Sequence, residues 1–84
     1  MERHRVGEDE QKFGFAVRKQ REARRFSQEA FAKHIGIDRS YQGRIERGEV
    51  SVTLRKISLV ARGLGLAKWE LLKKTEEIGF VLKS

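Results

Sequence analysis

The sequence predicts an all-α protein, a compact bundle of five helices. Proline is absent from all 84 residues, and no segment alternates apolar and polar residues as a half-buried strand does. Apolar residues instead recur at helical spacing in segments that short loops separate. No repeat or linker divides the chain, so we expect a polar, flexible segment at residues 1–9 and a single domain over residues 10–84.

Residues typical of helix ends delimit the first three predicted helices. Apolar residues run along one side of residues 10–25, and cationic residues crowd the last two turns, where they suit the helix dipole. Ser27 is a good N-cap for the second helix, and Gly36 supplies the positive φ that ends it. Asp38 caps the third helix, which covers residues 39–47.

Two further helices follow in the second half of the chain. Thr53 is the expected cap of the fourth helix, whose apolar stripe consists of Leu54, Ile57, Val60, Ala61 and Leu64. The fifth helix covers about residues 68–77 and is anchored by Trp69, Leu71 and Leu72. More apolar residues follow it, at 78 and 80–82.

Residues 26–48 predict two short helices joined by a tight turn, which is the arrangement that fits a helix into the DNA major groove. At about 100° per residue, one arc of the second of these helices holds Arg39, Ser40, Gly43, Arg44 and Arg47. A solvated amphipathic helix would also point arginines outward. The short turn, the two caps and the absence of a long acidic side chain from the arc favour an interface for nucleic acid.

The composition points in the same direction. A net charge of +7 draws the protein to polyanions, either nucleic acid or an anionic membrane. No apolar run approaches the roughly 20 residues that span a bilayer, and no signal-peptide core follows the first residues, so we expect no membrane partner. Cysteine is absent, which excludes thiol chemistry and favours a cytoplasmic location. The core of so short a chain is small, and a dimer would stabilise it.

Several motif blocks occur in order, namely Ser27-Gln28-Glu29, Ile35-Gly36-Ile37, Arg39-Ser40-Tyr41, Ile45-Glu46-Arg47-Gly48-Glu49 and Leu64-Gly65-Leu66. Over about residues 13–72 these blocks strongly resemble the Cro/C1-type (Xre family) helix-turn-helix, with its lambda-repressor-like fold. Within that family, the chain looks like the small controller proteins of restriction-modification systems. That resemblance implies a dimeric regulator of transcription that binds double-stranded DNA.

The resemblance also implies a role for each matching position. The positions that face base edges are Arg39, Ser40, Gly43 and Arg44. The positions that contact the DNA backbone are Ser27, Gln28, Tyr41 and Arg47. The two arginines of the first set are the best readers, because arginine can pair with O6 and N7 of guanine. Tyr41 points toward the inner face, so core packing and a phosphate contact through its hydroxyl remain equally open.

A structural ion pair between Arg21 and Glu46 is a further implication of the resemblance. If it is buried, loss of one partner costs about 3–5 kcal/mol, whereas two surface charges would contribute less than about 1 kcal/mol. Several positions depart from the family pattern, among them Gln42 and Gly43. Gln42 replaces an aliphatic residue, so its amide needs a hydrogen-bond partner or a place at the edge of the core. Gly43 either allows close approach to DNA or is merely tolerated in the helix.

The apolar residues near the C-terminus exceed what one small domain needs, so we expect a two-fold dimer interface. Its expected residues are Trp69, Leu72, Ile78 and Phe80. The dimer would place two recognition helices about 34 Å apart on a pseudo-palindromic site. An antitoxin that covers a toxin and represses its own operon is the alternative function, and RNA polymerase is a candidate further partner.

Neither catalysis nor a cofactor is expected. Ser27 and Ser40 have no plausible His-Asp partners for nucleophilic catalysis, and the glycines form no phosphate loop. His34 is interpreted as a packing or surface residue, because His4 is the only other histidine and cysteine is absent. We therefore expect no metal site.

Overall fold

The computed structural model describes residues 7–80, which form five α-helices joined by short loops. They are α1 (Glu8–Ala23), α2 (Gln28–Ile35), α3 (Arg39–Glu46), α4 (Leu54–Gly63) and α5 (Lys68–Glu77). No strand occurs between residues 7 and 80. The predicted all-α class and the number of helices are confirmed.

Most helix ends follow the signals in the sequence. The hydroxyl of Ser27 accepts a hydrogen bond from the backbone amide of Ala30 at 3.0 Å, and Thr53 caps α4 in the same way. Gly36, with a φ of 77°, ends α2. Asp38 lies at the N-cap of α3 as predicted, but its side chain makes no capping hydrogen bond.

The start of α1 differs from the prediction. The helix begins at Glu8 rather than at residue 10, because the backbone amide of Gly7 donates a hydrogen bond of 2.9 Å to the carboxylate of Glu10. Acidic residues also occupy the whole first turn, where they interact favourably with the helix dipole. The last two residues of the segment predicted to be flexible are therefore helical. Residues 1–6 of that segment lie outside the described residues.

The core lies where the five helices meet. α1 packs against α3 and α5, α2 packs against α3 and α4, and α4 packs against α5. The large apolar side chains that are completely buried are Val17, Phe31, Ile45, Val60 and Leu71. Leu54 was predicted to join the apolar stripe of α4, but it is 73% exposed, because it is the first residue of the helix and lies beyond the edge of the core.

A close approach between α1 and the end of α3 fixes the recognition helix on the scaffold. A Cβ atom at Gly14 would overlap the backbone carbonyl oxygen of Ile45 and lie 2.7 Å from that of Glu46. Gly48, with a φ of 71°, leaves equally little space, since a Cβ atom there would lie 2.5 Å from the Cα of Gln11. Only glycine permits this spacing at either position.

Candidate nucleic-acid interface

The turn between α2 and α3 sets the angle at which α3 is presented. After Gly36, the backbone amide of Ile37 donates a hydrogen bond of 2.9 Å to the carbonyl of Ala32, which closes the end of α2. The side chain of Ile37 is half-buried and packs against the core. A backbone hydrogen bond and the packing of the Ile37 side chain together hold the turn in place.

α3 has an exposed cationic face and a buried inner face. Arg39, Ser40 and Arg44, three of the four residues predicted to read bases, are exposed. On the inner side, Gln42, Ile45 and Glu46 are buried. The structure thus brings the two predicted guanine readers and a hydroxyl together on one open helix face.

Gly43 differs from the other three predicted base-reading residues in its exposure. It is buried, because the guanidinium of Arg47 folds back along α3 and covers it. The Nη1 atom of Arg47 lies 2.9 Å from the position that a Cβ atom of Gly43 would occupy. Gly43 can therefore approach a base edge only after Arg47 has moved, which helical periodicity could not reveal.

The four residues predicted to contact the DNA backbone differ in their surroundings. Ser27 and Arg47 are exposed, whereas Gln28 and Tyr41 are half-buried. The amide of Gln28 donates a hydrogen bond of 3.0 Å to the carboxylate of Glu46, so this side chain also belongs to the structural network under α3. Tyr41 packs against the core, as the first of its two interpretations requires.

Lys56 is a candidate contact that sequence reasoning missed. Its ammonium lies 5.3 Å from the centre of the Tyr41 ring, close enough for a cation–π interaction. Both residues line an open groove of about 510 Å³, and Ser40 and Arg44 line the same groove. The groove connects the outer face of α3 with the first turn of α4, so a cation from α4 extends the candidate interface. In the sequence Lys56 is one lysine among many, and only the fold shows which face it joins.

Arg21 and Glu46 form a buried two-point ion pair. The Nε atom of Arg21 lies 2.7 Å from Oε2 of Glu46, and Nη2 lies 2.9 Å from Oε1. The two side chains are 8% and 2% exposed. Arg21 also donates a hydrogen bond of 2.6 Å to the carbonyl of Phe26. The structure therefore ties α3 to α1 and to the segment before α2 through one guanidinium.

Glu46 collects four hydrogen bonds. Besides the two from Arg21, its carboxylate accepts one from Gln28 at 3.0 Å and one from Gln42 at 2.7 Å. Burial by itself raises the pKa of Glu46, but the hydrogen bonds from Arg21, Gln28 and Gln42 outweigh burial and hold this pKa below its usual value. The hydrogen bonds that Arg21 donates to Glu46 raise the pKa of Arg21 in turn. Both groups stay charged at neutral pH.

Gln42 is accommodated by this same carboxylate. Its side chain is completely buried, and the amide nitrogen finds its hydrogen-bond partner in Glu46. The amide oxygen of Gln42 has no protein partner. The polar residue at an aliphatic position of the family pattern thus has one of its two polar atoms satisfied.

The four residues expected at a dimer interface separate into two groups. Trp69 and Leu72 are exposed, by 66% and 40%. Ile78 and Phe80 are half-buried, and the Phe80 ring packs on the Phe15 ring of the same chain with 5.2 Å between centroids. Part of the apolar surface that motivated the prediction is therefore covered within the chain.

Residues 7–80 contain no group of three or more histidine, cysteine or acidic side chains arranged to hold a metal ion. None of the helices in this range is long and apolar enough to cross a membrane.

Comparisons with known proteins converge on one family. A family model described as a helix-turn-helix domain matches residues 12–72. Control protein C.MunI from a Mycoplasma species is 36% identical over 67 residues, which cover 79% of this chain and 90% of that protein.

Solved structures of controller proteins are similar in fold. The restriction-modification controller protein C.AhdI from Aeromonas hydrophila is 43% identical, with a TM-score of 0.72 over 75% of this chain and 96% of that one. The controller protein C.Esp1396I, solved as a tetramer in complex with its natural 35 base-pair operator, is 27% identical. Its TM-score is 0.71 over 82% of this chain and 96% of that one.

Proposed function

The chain belongs to the helix-turn-helix family, and we propose that it is a transcription regulator of the restriction-modification controller type. It binds double-stranded DNA as a dimer and reads a pseudo-palindromic operator with α3. The control-protein relatives favour this function over the antitoxin alternative.

The observation that carries the proposal is the outer face of α3. Arg39 and Arg44 are exposed there together with Ser40, whereas Glu46, the one acidic residue of this helix, is buried and paired with Arg21. Each exposed guanidinium can donate two hydrogen bonds to a guanine in the major groove, and each such pair contributes roughly 1–3 kcal/mol of discrimination. The face therefore combines positive charge with directional donors, as sequence reading requires.

We propose that the dimer contact involves the starts of α4 and α5. The large apolar side chains that are exposed among residues 7–80 are Leu54, Trp69 and Leu72. Leu54 lines a groove of about 470 Å³ with Leu59 and with the cationic residues Arg55, Lys56, Arg62 and Lys68, and Trp69 directly follows Lys68. Large apolar side chains as exposed as Leu54 and Trp69 are candidates for an interface. The likeness to C.Esp1396I, which is a tetramer on its operator, supports oligomeric binding.

Selection of bound sequences from a random pool of duplex DNA tests the proposal. The expected product is an inverted repeat whose half-site centres lie about 10 base pairs apart, one turn of the duplex. Enrichment of no sequence would contradict sequence-specific regulation. Sedimentation should show a dimer at tens of micromolar, and a monomer both free and on DNA would contradict the two-fold arrangement.

Contact with RNA polymerase is the further partnership expected if the protein activates transcription. Transcription in vitro from a promoter placed beside the selected site distinguishes an activator from a repressor. An increase that depends on the distance between site and promoter supports such a contact.

A further inference from the structure

An exposed ion pair follows α3 directly. The Nε atom of Arg47 lies 2.9 Å from Oε2 of Glu49, and Nη2 lies 3.2 Å from Oε1. The two side chains are 57% and 50% exposed. Glu49 is held in place by its own backbone, because its amide donates a hydrogen bond of 2.9 Å to the carbonyl of Arg44. This hydrogen bond fixes the backbone position from which the Glu49 carboxylate reaches the Arg47 guanidinium.

This pair turns Arg47 back over the recognition helix. With two of its nitrogens on Glu49, the guanidinium places its third, Nη1, over Gly43. The amide oxygen of Gln28 lies 3.8 Å from the position that a Cβ atom of Gly43 would take. Arg47 thus lies on the strip between α3 and the start of α2, where the predicted phosphate contacts are.

We infer that Glu49 competes with the DNA backbone for Arg47 and so weakens the binding of any duplex, whatever its sequence. The inference rests on the proposed function of α3. An arginine holds a phosphate best through two parallel N–H groups, and Glu49 occupies such a pair with its own two oxygens. A phosphate that binds the Nε–Nη2 edge has to displace the carboxylate, and the negative charge of Glu49 then stays beside the DNA.

The competition acts on affinity more than on base reading. Phosphate contacts supply most of the sequence-independent affinity, whereas base contacts supply discrimination. Arg39 and Arg44, the candidate readers, make no hydrogen bond to Glu49. The hydrogen bonds from Arg47 lower the pKa of Glu49, and the nearby charge of Arg44 helps to lower it. Glu49 therefore lowers the affinity for DNA of any sequence more than it alters the discrimination between sequences.

Salt-dependent binding to a duplex of fixed, non-selected sequence tests this inference by fluorescence anisotropy. Glu49→Gln is compared with Glu22→Gln, because Glu22 forms a similar exposed pair with Arg18 on α1 (3.1 Å, side chains 42% and 56% exposed). Both variants change the net charge equally. At low salt, Glu49→Gln should bind about three- to fivefold more tightly than Glu22→Gln. The slope of log K against log salt should steepen by up to about 0.9, the value for one full phosphate contact, to the extent that Glu49 keeps Arg47 off the backbone.

The same substitution in a variant that lacks Arg47 distinguishes competition for this arginine from general repulsion between Glu49 and the DNA. In the Arg47→Gln background, Glu49→Gln should bring no such gain, because the guanidinium under competition is missing. Equal binding by Glu49→Gln and Glu22→Gln would overturn the inference, as would a gain that persists without Arg47. If the unmodified protein bound no duplex at all, the proposed function would fail first, and the inference with it.

Discussion

Replacement of Glu46 by glutamine removes one charge and little volume from beneath the recognition helix. The carboxylate accepts hydrogen bonds from Arg21, Gln28 and Gln42. Glutamine cannot accept all of them, because an amide NH2 group, which only donates, replaces one of the two oxygens. The Arg21 side chain is 8% exposed, so its charge would be left buried without a counterion.

The size of the effect follows from this burial. Removal of one partner from a buried ion pair costs about 3–5 kcal/mol. A chain of 84 residues has a total stability of roughly 4–13 kcal/mol. The substitution therefore removes a large share of the stability, and the melting temperature should fall by more than about 12 °C.

Chemical and thermal denaturation followed by circular dichroism measures this loss, with Glu22→Gln as the control. Glu22 pairs with Arg18 at the surface, and such pairs contribute at most about 1 kcal/mol. A loss at Glu46 no larger than the loss at Glu22 would refute the reasoning. The pair would then behave like two solvated charges despite its burial.

Other predictions concern pH, two glycines and the dimer. Since the pKa of Glu46 is lower in the folded protein than its usual 4.5, the unfolded chain binds more protons, and stability should fall as the pH drops below about 4.5. The stability difference between the unmodified protein and Glu46→Gln should narrow in that window. In urea denaturation, Gly14→Ala should cost at least about 1–3 kcal/mol, because its methyl group meets backbone. Gly43→Ala should instead gain up to about 1 kcal/mol, because only the flexible end of Arg47 has to move. Trp69→Glu should shift sedimentation toward a monomer and leave the helical spectrum intact, since this side chain is 66% exposed.

Local signals explain why the helices could be predicted. The caps at Ser27 and Thr53 and the left-handed glycine at Gly36 act within three or four residues, so the sequence near each end contains the information. The start of α1 was missed because it depends on a hydrogen bond from the Gly7 amide to the Glu10 side chain, which places Glu10 inside the helix.

Contacts between distant residues limited what could be predicted of the site. The helical period places Gly43 on the same side of α3 as Arg47, but it cannot show that the Arg47 side chain folds back over Gly43. Period alone likewise assigned Leu54 to the core stripe, although the core does not extend to the first residue of α4. Lys56 joins the interface only because α4 starts beside α3, which is a property of the tertiary fold.

The most direct test of sequence reading by α3 is the ratio of affinities for the selected operator and a scrambled duplex. Arg39→Ala and Arg44→Ala should each lower this ratio by about one to two orders of magnitude, because each loses a bidentate pair with guanine. Arg18→Ala, which removes the same charge from an exposed position on α1, should leave the ratio unchanged. If Arg39→Ala and Arg44→Ala weakened binding to both duplexes equally, the two arginines would be phosphate contacts, and the assignment of base reading to them would be contradicted.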